Sequence, residues 1–240
     1  MTSTPTTTSR RRTHPMTGWA YAGSQRQIQA YVNNSPLTAV LDAALAAALP
    51  TIEGATIEWL SPLAAAGYVE YRDGAFWQAI GEPELAAQAA GWWPARGGPC
   101  WDALALANQP GGATTLVLVE AKAHVAEFGP APCDATSKMS IAKIRAAFDS
   151  GRQQLGSSAS TDTWMGGYYQ FANRLTWALW LRDHEVDTVF AHVLFADDRS
   201  NIPANSEELR HAAHQAHATL GVPALATAGW AATIVLDAAR

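Results

Sequence analysis

The chain is predicted to form a mixed α/β layer, a central sheet with helices on both faces, and three observations predict it. Five short runs rich in β-branched and aliphatic residues interleave with longer stretches of helical apolar period. Hydrophobic residues make up 48% of the 240 residues and include ten Trp, a composition that supports a real core. The run from Thr114 to His124 is aliphatic enough in its first half to be a buried central strand, with turn residues Pro110-Gly111-Gly112 just before it.

Taken in order, residues 1–17 are rich in Thr, Ser and Pro and carry Arg10, Arg11 and Arg12, which predicts a disordered tail before a single domain over 18–240. Helices are expected over 25–32 and 37–49, the second with Pro36 in its first turn and Pro50 as its stop. Residues 56–60 alternate as a strand, and 62–71, 74–80 and 83–90 read as helical. Residues 91–99 form a loop, and 101–107 a strand placing Asp102, Leu104 and Leu106 on one face. Five turn residues, Asn108 to Gly112, allow a hairpin with the strand over 115–119. Beyond Gly129-Pro130-Ala131-Pro132, residues 137–155 put Ile141, Ile144, Ala147, Phe148 and Leu155 along one helix side. A Ser-rich loop over 156–163 precedes an apolar helix over 168–182, a buried strand over 188–195, a helix over 207–220 stopped by Gly221, and a last strand over 231–236.

Several function classes are excluded or thinned. The longest apolar run, 175–181, is bounded by Arg174 and Arg182, so no membrane span is expected, and the N-terminus has no apolar signal core. Cys100 and Cys133 make no framework, which fits structural thiols in a reducing cytoplasm. Net charge is −5, and the 13 basic and 21 acidic residues outside the Arg-bearing N-terminus leave −8. Such a body argues against broad binding to nucleic acid, so any polyanion contact must be local, metal-assisted, or helped by a homodimer mate or partner subunit with basic surface. G-x-S-x-G, a P-loop and a dinucleotide fingerprint are absent.

Chemistry converges on the Thr114–His124 run. Alternation puts Val117, Val119, Ala121 and Ala123 on one face and Leu116, Leu118, Glu120, Lys122 and His124 on the other. Asp102 starts the hairpin partner, so its carboxylate falls beside that of Glu120. Paired carboxylates repel unless a cation lies between them, and hard oxygens suit Mg²⁺ or Mn²⁺. The neighbouring Lys122 can stabilise charge or orient an activated water.

Asp102, seventeen residues, then Glu120-Ala121-Lys122, on successive strands after a helical segment and before a helix, resembles the PD-(D/E)XK nuclease superfamily. The resemblance implies a restriction-endonuclease-like fold, divalent metal on Asp102 and Glu120, and Lys122 positioning the attacking water. It is specific over 99–124, and Pro99 stands three residues before Asp102 instead of next to it. Many members add an upstream Glu. Glu53, Glu58 and Glu70 are candidates, and Glu70, flanked by Tyr68 and Tyr71, is preferred.

In the apolar helix over 168–182, Gln170, Asn173 and Arg174 share a face. They are candidates either to contact phosphate or hold a site carboxylate, or to form an internal brace. His124 is a candidate neighbour of the site. His211, His214 and His217 fan around a helix and are expected to be a solvated face. The function expected is therefore a Mg²⁺- or Mn²⁺-dependent phosphodiesterase acting on DNA ahead of RNA. The rivals are a catalytically silent binding or assembly module of the same fold, and a metal-dependent enzyme acting on a small phosphorylated substrate.

Overall fold

All five expected strands form, and they join one sheet in the order β1 (Thr56–Ser61), β2 (Ala103–Asn108), β3 (Thr114–Lys122), β4 (Thr188–Ala196), β5 (Ala231–Asp237). The structure is a computed structural model describing residues 18–95, 97–223, 225 and 228–239. The expected tail over 1–17 lies outside the described residues. β1, β2 and β3 run antiparallel, whereas β4 pairs parallel to β3 and β5 parallel to β4. The β2–β3 hairpin is closed by Gln109 N–H donating to Ala113 O at 2.8 Å, with Gly112 at φ +86°, a conformation glycine adopts without steric cost. A parallel partner needs a long crossover, and the helices after β3 supply it. Both faces of β3 and β4 are covered, which is why these strands are apolar at nearly every position.

Helices α1 (Gly23–Asn33) and α2 (Ser35–Ala48) precede β1. Helices α3 (Asp73–Ala79) and α4 (Leu85–Trp92) sit between β1 and β2. Helices α5 (Lys138–Gln154), α6 (Thr161–Trp164) and α7 (Tyr169–Asp183) link β3 to β4, and α8 (Ser206–Thr219) links β4 to β5. Alternation along β4 decides which helix covers which face. Phe195 points to α1, its ring 5.0 Å from that of Tyr31. Phe190 and His192 point to α7, their rings 5.8 and 5.2 Å from Phe171.

Two expectations fail. Residues 62–71 are not a helix: only a short 3-10 turn, Ala64–Ala66, forms before Gly67 and Tyr68 turn left-handed at φ 69° and 59°. Asn33 holds this segment from outside, donating to Pro62 O and accepting from Ala64 N–H, both at 2.7 Å, so a tertiary clamp replaces helical bonding. The Ser-rich loop contains α6, started by Ser160 Oγ accepting from Thr163 N–H at 3.1 Å. Among the described residues no helix is long and apolar enough to cross a membrane.

The strongest local start signal belongs to α8, where Asn205 Oδ1 accepts from Glu207 and Glu208 N–H at 2.9 and 3.0 Å, and Glu208 answers by accepting from Asn205 N–H at 2.8 Å. Asn205→Ala is expected to cost about 1 kcal/mol and to lower Tm by about 2–4 °C, read by thermal unfolding.

Candidate active site

The antiparallel register places the first site pair. Ala103 faces Val119, so one step further Asp102 stands across from Glu120, and Asp102 N–H still donates to Val119 O at 3.1 Å. The parallel register adds His192 of β4 opposite Glu120. A polar row thus crosses three strands on the face covered by α7. The Asp102 carboxylate accepts from Ala121 N–H at 2.7 Å, which ties it to the backbone between Glu120 and Lys122.

Glu120 is 1% exposed and both its oxygens are engaged. Oε1 accepts from Lys122 Nζ, and Oε2 accepts from Arg174 Nε at 2.7 Å. Lys122 also donates to Gln170 Oε1 at 3.1 Å. Arg174 completes its fork by donating to Asn173 Oδ1 at 3.0 Å and to Cys100 O at 2.9 Å, and its guanidinium lies 5.3 Å over the Trp101 ring. Of the two roles expected for the Gln170–Arg174 face, holding a site carboxylate and bracing the interior prove to be one contact. Glu70 joins from an extended segment, not from a helix: it is buried, accepts from Gln25 Nε2 at 3.0 Å and lies 3.6 Å from the Cys100 thiol.

Charge is distributed unevenly. Burial alone would push the Glu120 carboxyl up, but the Arg174 and Lys122 charges hold it at about 2. Burial, reinforced by the Glu120 charge, pushes Asp102 well above the usual carboxylate range against the pull of Lys122. Burial likewise pushes Glu70 up to about 7; the Gln25 and Cys100 hydrogen bonds work against this, and Glu120 adds to it. Burial works against the Lys122 and Arg174 charges, yet Glu120 and Asp102 raise both above their ordinary values. One carboxylate is therefore ionised and doubly compensated, while two acids beside it resist ionisation.

His124 does not reach the Glu120–Lys122 pair. Its Nε2 is 3.5 Å from Glu127 Oε1 and 3.1 Å from Asn201 Nδ2, at the edge of the site. Glu53 and Glu58 are exposed and play no part. His211 and His214 are exposed as expected, but His217 is not: its ring stacks on Phe171 at 4.9 Å, because the inward turn of α8 covers the same sheet face as α7.

Sequence reasoning missed four groups. Cys100 was expected to be only a structural thiol, yet it links Glu70 to Arg174, and burial pushes its thiol up to about 12. Gln25 and Glu127 carry no motif. Glu127 accepts from Ala123 N–H at 2.5 Å and from Ser24 Oγ at 3.0 Å, anchoring the chain just past Lys122 to α1. His192 could have been placed on the Phe190 face by alternation, but its position opposite Glu120 depends on strand register. It is 2% exposed with neither ring nitrogen hydrogen-bonded, and burial, then the Lys122 charge, depresses it to about 3.

Among the described residues no three His, Cys, Asp or Glu side chains are gathered to hold a metal ion. The donor chemistry nonetheless fits Mg²⁺ or Mn²⁺. Such ions are commonly held by one or two carboxylates, with water and phosphate oxygens completing the shell, and here neighbouring acids oppose each other's ionisation. Asp102 and Glu120 would be the protein ligands. No family model, curated protein or solved structure matches this chain.

The raised Glu70 carboxyl has a signed consequence. Below pH 4.5 folded and unfolded chains both hold its proton; as pH rises towards about 7 the unfolded chain releases it first, so native stability falls and the loss is complete above that value. Glu70→Gln stays neutral throughout and keeps an acceptor for Gln25. In chelator, its stability relative to the parent should grow from about zero near pH 4 to on the order of 2 kcal/mol near pH 8, measured by denaturant unfolding.

Proposed function

We propose that this protein is a divalent-metal-dependent phosphodiesterase of the PD-(D/E)XK type, with a restriction-endonuclease-like arrangement of its mixed sheet, acting on DNA ahead of RNA in a cytoplasmic setting. The observation that carries the reading is the meeting of Lys122 and Glu120 at a cavity of about 10 Å³ that Gln170 and His192 also line. A space of that size is about what one water needs, and its lining offers the hydrogen-bond partners such a water requires. The strand pair, the seventeen-residue spacing and the added Glu70 support the same reading.

When bound at Asp102 and Glu120, the metal would supply Lewis-acid stabilisation of charge on the phosphoryl group. The chain's own residues do the rest. Lys122, held by Gln170, donates to a water and orients its lone pair toward phosphorus. Arg174 holds one Glu120 oxygen in place, so that carboxylate cannot swing away when Lys122 turns to the water. Asp102 and Glu70, each held toward its protonated form, would give up protons if a cation bound, so affinity should rise with pH. Phe128, Tyr168 and Phe171 line the same cavity and exclude bulk solvent.

The second reading, a catalytically silent assembly or binding module, is favoured by one observation: both Glu120 oxygens already have cationic partners. A groove at the carboxyl ends of β4 and β5 carries Arg26 and Arg199 but also Asp197, Asp198 and Asp237, so a polyanion there would need a cation or a basic partner subunit.

Two measurements separate the readings. Millimolar Mg²⁺ or Mn²⁺ should raise the parent's Tm and leave that of Asp102→Asn unmoved. Lys122→Met should abolish metal-dependent cleavage while its Tm stays within a few degrees, because Arg174 still compensates Glu120. A parent that cleaves neither single- nor double-stranded DNA or RNA with either metal points instead to the silent module.

A further inference from the structure

The sheet ends in two edge strands, and they are built differently. At β1 the register shifts between Trp59 and Ser61, Pro62 follows at once, and Glu58 is exposed in mid-strand. An irregularity, a proline and a charge are devices that keep an edge from pairing with another chain. β5 has none of them. Its register with β4 runs unbroken from Phe190↔Ala231 to Ala196↔Asp237, and its one charge stands at the last position.

Hydrogen bonds at its two ends fix which backbone groups of β5 face outward. Phe190 N–H donates to Trp230 O, and Ala238 N–H donates to Ala196 O, both at 2.8 Å. Alternate residues of an edge strand serve its neighbour, so Ala232, Ile234 and Leu236 pair with β4, while Ala231, Thr233, Val235 and Asp237 point away. Asp237 O is taken by the Tyr31 hydroxyl, which donates at 2.6 Å. The N–H and C=O groups of Ala231, Thr233 and Val235 have no partner among the described residues, and Thr233 is exposed. A row of this kind is met by another extended strand.

Two features name that strand as a second copy of β5. With a two-fold axis at Ile234 and antiparallel pairing, Thr233 of each copy faces Val235 of the other, Asp237 faces Ala231, and no like charges are opposed. Joining two edges also brings together the helices that cover them, and α2 lies over β5. Ala39, Val40, Ala43 and Ala47 are exposed along one side of α2, whose only charge, Asp42, accepts from Trp59 Nε1 at 3.0 Å. On a chain of net charge −5, an uncharged strand edge and helix side are where two copies approach with least repulsion. We propose that the protein is a homodimer in which two β5 edges pair antiparallel and continue the sheet across a two-fold axis. Glu120, His192 and Thr233 share one row of the register. Both acid–lysine clusters then stand on the same face of the joined sheet, five strand spacings or about 24 Å apart. That the two clusters serve one substrate rests on the phosphodiesterase reading; the pairing does not.

The test is sedimentation equilibrium of the full chain across micromolar concentrations in chelator, where the parent should reach the mass of two 25.6 kDa chains. Thr233→Pro removes an N–H that the single chain does not use, so its Tm should hold while the dimer's dissociation constant rises about tenfold or more, two bonds being lost per dimer. Thr233→Lys keeps every backbone group and sets like charges close to the axis, so it should weaken the dimer even if the proline variant folds poorly. Val40→Glu, on the exposed side of α2, should weaken it as well, and less so at high salt. A parent that stays monomeric, or a dimer that neither Thr233 variant loosens, overturns the pairing. A dimer that loosens as expected in a protein that cleaves nothing upholds the pairing and sinks the phosphodiesterase reading. Cleavage by a strictly monomeric parent does the reverse.

Discussion

Glu120 sits 1% exposed in the middle of a sheet, and the structure around it is arranged so that a carboxylate can be ionised there. Burying such a charge with no cationic partner left would be prohibitive. Lys122 arrives from the same strand face two residues on, and Arg174 arrives from α7. Because Arg174 also donates to Cys100 O, the contact that neutralises Glu120 fixes the approach to β2 and hence Asp102. The Cys100 thiol in turn meets Glu70. One ion pair therefore locates residues from four separate parts of the chain.

The same burial acts differently on the two acids beside Glu120. Burial, with the Glu120 charge adding to it, pushes Asp102 and Glu70 each toward the protonated form. On the phosphodiesterase reading, a divalent cation would reverse that preference by rewarding ionised oxygens.

Helix α7 serves two environments at once. Its Gln170 and Arg174 reach the acid cluster, Phe171 seals His192, and Trp177 and Trp180 pack with Trp77 and Trp92 at ring separations of 5.2 to 6.1 Å. A helix buried on most sides has no solvent face, which is why its apolar pattern lacks a clean stripe. The aromatic cluster holds it rigidly, so a polar side chain on it is placed with the precision that a site requires.

What the amino-acid sequence determined by itself is the set of local choices. Strand runs were legible because β-branched residues stop at turn residues, and the hairpin because its loop was short. The pairing of Asp102 with Glu120 followed from that hairpin by alternation alone. Helix over 62–71 was misread because Asn33, 29 residues before Pro62, supplies hydrogen bonds that no local window contains. The tertiary structure alone decided which strand lies beside β3, and so placed His192 opposite Glu120. It decided that Arg174 ends on Glu120 and not on a phosphate-facing edge, and that Cys100 and Gln25 stand by Glu70. Periodicity reports the face a residue takes within its own element; which element then covers that face is settled by packing between segments far apart in the chain.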